Sequence, residues 1–256
     1  AEAEYARKVA KSNEIAMKSM IELENDPTLA FRLGEEAYKI NKGSLAKQAV
    51  MAAYMQPPYY VKLRGHTNTP RDAKFSPDGK YIVTASSDNT ARIWNMMGKQ
   101  LHVLRGHTDY VTKAIFSPDG THILTRSKDS TIHIRNRYGK TLHIIHPGSY
   151  IYEANFSPDG KYIIAGLSDN TARIWDLNGE LIKVFKGHKG SVYLAKFSPD
   201  GKYVLTASVK ENTVRIWDLE GNTLQIFKGN MYMLTYIVGD IAFSSDSKYM
   251  LIPTFD

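Results

Sequence analysis

The chain changes texture once. Up to about residue 56 its apolar positions recur every three or four residues, the period of a helix with one buried face. "NDPTLAFRLGEEAYKI" places Leu29, Leu33, Ala37 and Ile40 on one such face. Asp26 stands where an N-cap belongs and Pro27 at the first helical position, so a helix starts there. "NKG" ends it, Ser44 opens another helix reaching about Met55, and "QPPYY" is a stiff break. From Val61 onward short runs rich in Val, Ile, Thr and Tyr alternate with Gly, Asp and Pro, the texture of strands and tight turns. The pattern predicts a helical segment over 1–58 and a β region over 59–256.

The β region repeats itself. "FSPDG" begins at Phe75, Phe116, Phe156 and Phe197, and a worn copy, "FSSDS", begins at Phe243. Intervals of 41, 40, 41 and 46 residues separate them. Each interval has room for four strands, 70–75, 81–86, 91–95 and 101–104 in the first. In "SPDG" the Pro sits where its fixed φ suits a type I turn, and the Gly takes the left-handed conformation that closes a hairpin. "GH" recurs at Gly65-His66, Gly106-His107 and Gly187-His188, and "RIW" ends at Trp94, Trp175 and Trp217.

"LRGHT", "FSPDGKYIVTASSDNTARIWN" and their copies resemble the WD-repeat family of β-propellers, from about Lys62 to Asp256. The resemblance implies a mainly β fold preceded by an α-helical segment. It has four full blades and a partial fifth, part of a larger propeller whose further blades follow Asp256. Val61–Arg64 is then an outer strand. It also implies a buried relay in each blade, from a Trp indole to a Ser hydroxyl, to a His, to the acid of the next turn. The members are His66, Ser86, Asp88 and Trp94, then His107, Ser127 and Asp129, then His188, Ser208, Glu211 and Trp217. Arg135 replaces Trp in the second unit, Pro147 and Leu167 replace His and Ser in the third, and the fourth turn, "SVKENT", is one residue longer. A Ser-His-Asp set could be a nucleophilic triad. A triad is needed once, however, and this set returns with every unit, so it is read as structure and no catalytic residue is expected.

In this family the loops before the inner strand and after the second strand form one face on which partners bind. Carried over, those positions include Arg71, Tyr110, Lys128, Tyr150, Tyr152, Tyr193 and Lys210. Large aromatic and cationic side chains suit a recognition rim. The expected partner is therefore a protein or peptide, acidic in character. The expected role is a non-catalytic interaction or sensor module. The helical stretch around "DPTLAFRLGEEA" resembles the linker before propellers in bacterial multidomain signalling proteins with a nucleotide switch, a caspase-like peptidase or a TIR domain.

Charge adds an alternative. The chain carries +7, all of it beyond residue 60, where 25 basic residues face 18 acidic ones. Nucleic acid is thus a second candidate partner. A propeller enzyme is a third reading, but no Walker loop, "GxSxG", "HExxH" or dinucleotide fingerprint is present. The absence of cysteine excludes disulfides, thiolate metal sites and thiol nucleophiles. No cofactor, metal or membrane span is expected, and the expected location is the cytoplasm.

Overall fold

The structure, a computed structural model, describes residues 2–23, 25–55, 61–228 and 241–251. The chain forms two compact units. One comprises Ala1–Gly65 with Trp94–Leu101, the other His66–Ile93 with His102–Asp256.

The first unit holds three helices, α1 Glu2–Ile21, α2 Pro27–Ile40 and α3 Ser44–Met55. Asp26 caps α2 by accepting the Leu29 N–H at 3.1 Å. The helices meet through small residues: Ala16, Ala30, Ala37, Ala46 and Ala49 are fully or almost fully buried. Gly34 lets α3 come so near that an added Cβ would lie 3.1 Å from the Val50 nitrogen. Of the predicted Leu29–Leu33–Ala37–Ile40 face, Ala37 is in the helical core and Leu33 and Ile40 pack against it. Leu29 alone is exposed, and Ala30 and Gly34 join the buried side where the helices come closest. Two hydroxyls pin the helices: Ser12 donates to the Ala37 carbonyl and Ser19 to the Ala30 carbonyl. Val61–Arg64 is not a strand, contrary to expectation. A ladder needs a neighbour, and no strand lies beside it among the described residues. Lys62 and Arg64 instead bond to the turn before α2, on the Asn25 carbonyl and the Asp26 carboxylate.

The β strands fall into antiparallel sheets in strict chain order. Blade one is β1 Pro70–Phe75, β2 Tyr81–Ser86, β3 Ala91–Asn95 and β4 Gln100–Leu104. Blade two is β5 Val111–Phe116, β6 His122–Ser127, β7 Ile132–Asn136 and β8 Thr141–Ile145. Blade three is β9 Ile151–Phe156, β10 Tyr162–Leu167, β11 Thr171–Asp176 and β12 Leu181–Lys186. Blade four is β13 Val192–Phe197, β14 Tyr203–Ser208, β15 Thr213–Asp218 and β16 Thr223–Lys228. A short pair, β17 Ala242–Phe243 and β18 Met250–Leu251, follows. Most of the predicted fifth blade's remaining residues lie outside the described ones.

Each "SPDG" turn is built alike. Gly79, Gly120, Gly160 and Gly201 take φ between 67° and 72°. The serine hydroxyl donates to the turn aspartate and accepts the N–H that opens the next strand. In the worn fifth copy Ser247 takes φ 60° in the glycine's place and the turn survives. The core is a stack of blade-to-blade layers. Val83, Ala85 and Ile93 of blade one meet Val111 and Ala114 of blade two. Leu124, Ile132 and Ile134 meet Ile151 and Ala154. Ile164, Ala172 and Phe185 meet Val192, Ala195 and Trp217.

Candidate functional site

The repeated His-acid pair is buried and hydrogen-bonded in three blades. His66 Nδ1 lies 2.9 Å from Asp88, and His107 Nδ1 lies 2.9 Å from Asp129. His188 Nδ1 meets Glu211. The hydroxyl at the other ring nitrogen is a threonine, not the expected serine. Nε2 of His66, His107 and His188 lies 2.7, 2.9 and 2.8 Å from Oγ1 of Thr84, Thr125 and Thr206. In blade four the Trp217 indole N–H donates to Thr206 Oγ1 at 2.7 Å. The protons then have one consistent order. Thr206 accepts from Trp217 and donates to His188 Nε2, and His188 donates from Nδ1 to Glu211.

The serines do other work. Ser86 Oγ donates to the Asn68 carbonyl and accepts the Asp88 N–H. Ser127 does the same with Asp109 and Asp129. Ser208 Oγ is buried with no partner, next to the turn that carries the extra residue. Thr and Ser two places apart share one face of a strand, so spacing alone does not separate them. Trp94 is fully buried.

Where relay members are missing, arginines bond to the neighbouring backbone, Arg173 from the "RIW" position that Arg92 and Arg215 also hold and Arg135 from the Trp place. In blade three Arg173 donates to the Pro147 carbonyl, at 2.9 Å, and to Asp169. In blade two Arg135 takes the Trp place. It donates to the Arg105 carbonyl, to Thr141 and to His133 Nδ1. His133 stacks on His107 with ring centres 3.7 Å apart.

Burial pulls the imidazoles of His66, His107 and His188 below their usual range, and their acidic partners offset this only in part. Burial and the neighbouring His107 and Arg135 charges push His133 down to about 3. Burial alone pulls Arg135 down to about 10. Burial raises Asp129, but hydrogen bonds from Thr131, the Thr108 N–H and His107 outweigh it and hold the group at about 2. Neutral rings and ionised acids make a network of fixed polarity with no exposed nucleophile. Among the described residues no three His, Cys, Asp or Glu side chains are arranged to hold a metal, and no helix is long and apolar enough to cross a membrane.

Six of the seven rim residues come together in two groups. Arg71 on β1 and Lys128 after β6 both lie against the Tyr110 ring, at 5.7 and 5.2 Å from its centre. Arg71 Nε donates to Ser87 Oγ at 2.6 Å, which fixes the guanidinium. Tyr150 meets Tyr152 edge to face at 5.1 Å, and Tyr152 overlaps Tyr193 at 4.0 Å. Lys210 is exposed and packs beside Gly190, outside both groups.

Sequence reasoning missed Arg126. From β6 its guanidinium donates to the Ile151 and Tyr152 carbonyls, so it holds the strand that carries the tyrosines. The signal was there: Ala85, Gly166 and Ala207 occupy the same register in the other blades, and an arginine among small residues is out of place. Next to it Lys113 bonds Glu153 and Asn155 across two inner strands.

Tandem four-stranded blades, closed by "SPDG" turns, three of them with a buried Thr–His–acid relay that Trp217 extends in blade four, define a WD-type β-propeller. The family model described as IFT122 first beta-propeller matches residues 59–256, and the chain belongs to that family.

Proposed function

We propose that the propeller is a non-catalytic scaffold that recognises a protein partner through the rim formed by Arg71, Tyr110, Lys128, Tyr150, Tyr152 and Tyr193. The observation that carries this is the clustering of those side chains at one end of four consecutive blades, with Arg71, Lys128 and Tyr150 exposed and the other three half-buried. Rigid tyrosines give large contact area at little entropic cost, and they and arginine are the residues that dominate interface energies. Membership of a propeller family supports a scaffold rather than an enzyme. The cationic half of the rim favours an acidic partner. The resemblance of the segment before α3 to linkers in bacterial signalling proteins supports a place within a larger signalling protein.

The test is capture of a partner by the full chain, followed by titration of wild type and Tyr152→Ala. The expected loss is more than about 1 kcal/mol with the melting temperature unchanged. Equal binding by the two would overturn the assigned face. Net charge favours nucleic acid as the second reading, marked by affinity that collapses between low and moderate salt.

A further inference from the structure

The rim is not uniform: one half is purely aromatic and the other carries two cations around one ring. Neither Arg71 nor Lys128 has a carboxylate in ion-pair range among the described residues, whereas Lys161, Lys202 and Lys248 of the "SPDG"-type turns each have one. Both side chains are exposed and both lie against Tyr110. Arg71 is spent only at Nε, on Ser87. Its two terminal amino groups, with four of the five N–H donors, have no hydrogen-bond partner among the described residues, and the bond at Nε orients them. A planar guanidinium held in this way suits the paired oxygens of a phosphate, and a second positive charge matches the second negative charge that a phosphorylated side chain carries near neutral pH.

Resting on the reading of the rim as the protein-binding face, we infer that Arg71, Tyr110 and Lys128 form a seat for a phosphorylated side chain of the partner peptide. Arg71 makes the paired hydrogen bonds, Lys128 supplies the second charge and the Tyr110 ring walls the seat. Tyr150, Tyr152 and Tyr193 then hold the flanking residues by their apolar surface. The partner so recognised is an extended segment with a phosphoserine or phosphothreonine at the blade one–two end. Its apolar or proline residues lie at the blade three–four end.

The test uses the full chain and three degenerate peptide pools that differ at one fixed position: phosphoserine, serine or glutamate. Binding is read by fluorescence anisotropy, with a single-stranded oligonucleotide as a fourth probe. The phosphoserine pool is expected to bind at least tenfold more tightly than the serine pool. Arg71→Ala and Lys128→Glu should each shrink that preference to about twofold or less. Lys128 is on an exposed turn, so its variant keeps the fold, and melting curves verify this for both. Tyr152→Ala should weaken the phosphoserine and serine pools by the same factor. The seat is overturned if the phosphoserine pool shows no preference, or if a preference survives Lys128→Glu. It is also overturned if the oligonucleotide displaces every peptide and the same variants abolish its binding. If Tyr152→Ala weakens the pools while no phosphate preference exists, the seat fails and the rim stands. If phosphoserine is preferred and Tyr152→Ala is silent, the tyrosine half of the rim fails and the seat stands.

Discussion

Thr206 sits where two buried donors and acceptors converge, and it carries the relay of blade four alone. The indole of Trp217 and Nε2 of His188 both use its hydroxyl, whereas the hydroxyl of Ser208 touches nothing polar. The two positions therefore separate cleanly. Thr206→Val keeps the shape and removes the hydroxyl, leaving two buried polar groups without partners at a cost of roughly 1–3 kcal/mol. Ser208→Ala removes an unpaired group and should be neutral or stabilising. Urea denaturation of the two variants reads the difference, and equal costs would contradict the threonine-centred relay. The same burial fixes the response to acid. His66, His107, His133 and His188 all have folded-state affinities for a proton below that of the unfolded chain, about 6.5. Below that value the unfolded state binds more protons, so stability falls as the pH drops. It continues to fall toward the folded value of His133, about 3. Asp129 is depressed in the same direction, so its contribution is present above about 4 and lost toward 2. The urea midpoint should therefore decline steadily from pH 7 to pH 4.5, and His133→Gln should flatten the slope. A midpoint independent of pH across that range would count against neutral buried rings.

At the level of elements, local chemistry was legible and packing was not. The turns and strands of blade one were readable from "SPDG" and from alternation because both are set within a few residues. The cap of α2 and the start of α3 at Ser44 were readable for the same reason. What the chain does not advertise is which surface a neighbour will press against. On α2, Leu33, Ala37 and Ile40 pack as predicted but Leu29 stays exposed, and Ala30 and Gly34 are buried instead because a close helix contact rewards small side chains over large ones. Val61–Arg64 has strand-like residues but no ladder partner among the described residues. Of the rim, the two groupings around Tyr110 and Tyr152 were foreshadowed by register, and so was Ser87, which stands one residue before the turn acid as Lys128 does; Arg126, which holds the tyrosine-bearing strand, acts from behind and shows no rim spacing. Close approach also gives the element-scale prediction. Blade four's inner strand comes so near blade three that a Cβ on Gly166 would lie 2.6 Å from the Val192 carbonyl oxygen. Backbone cannot step aside as a side chain can. Gly166→Ala should cost about 1–3 kcal/mol by forcing the blades apart. The alanine already present at the matching position of blade one, Ala85, shows that the penalty comes from this approach and not from the strand itself. A melting temperature unchanged by Gly166→Ala would refute the tight interface.

Across the propeller as a whole, each blade offers one sheet face to the blade before it. The inner-strand residues on that face are Val111 and Ala114 in blade two, Ile151 and Ala154 in blade three, and Val192 and Ala195 in blade four, all buried. Phe116, Phe156 and Phe197 pack beside them. Blade one carries the same set as Pro70, Ala73 and Phe75, and there it is exposed, with Phe75 at 66%. The sequence periodicity that makes this face apolar is thus intact, but no neighbouring sheet buries it among the described residues. An apolar sheet face of this kind lowers its free energy by finding another surface. The 256-residue chain should therefore self-associate as its concentration rises, and sedimentation velocity should show a growing fast component. Phe75→Glu should suppress that component and leave thermal stability within about 0.5 kcal/mol, since the side chain is already in water. Phe116→Glu, the same change between blades one and two, should instead destabilise the fold, because it drives a charge into a packed layer. If Phe75→Glu lowers stability as much as Phe116→Glu does, the blade-one face is covered and the asymmetry between first and later blades does not hold.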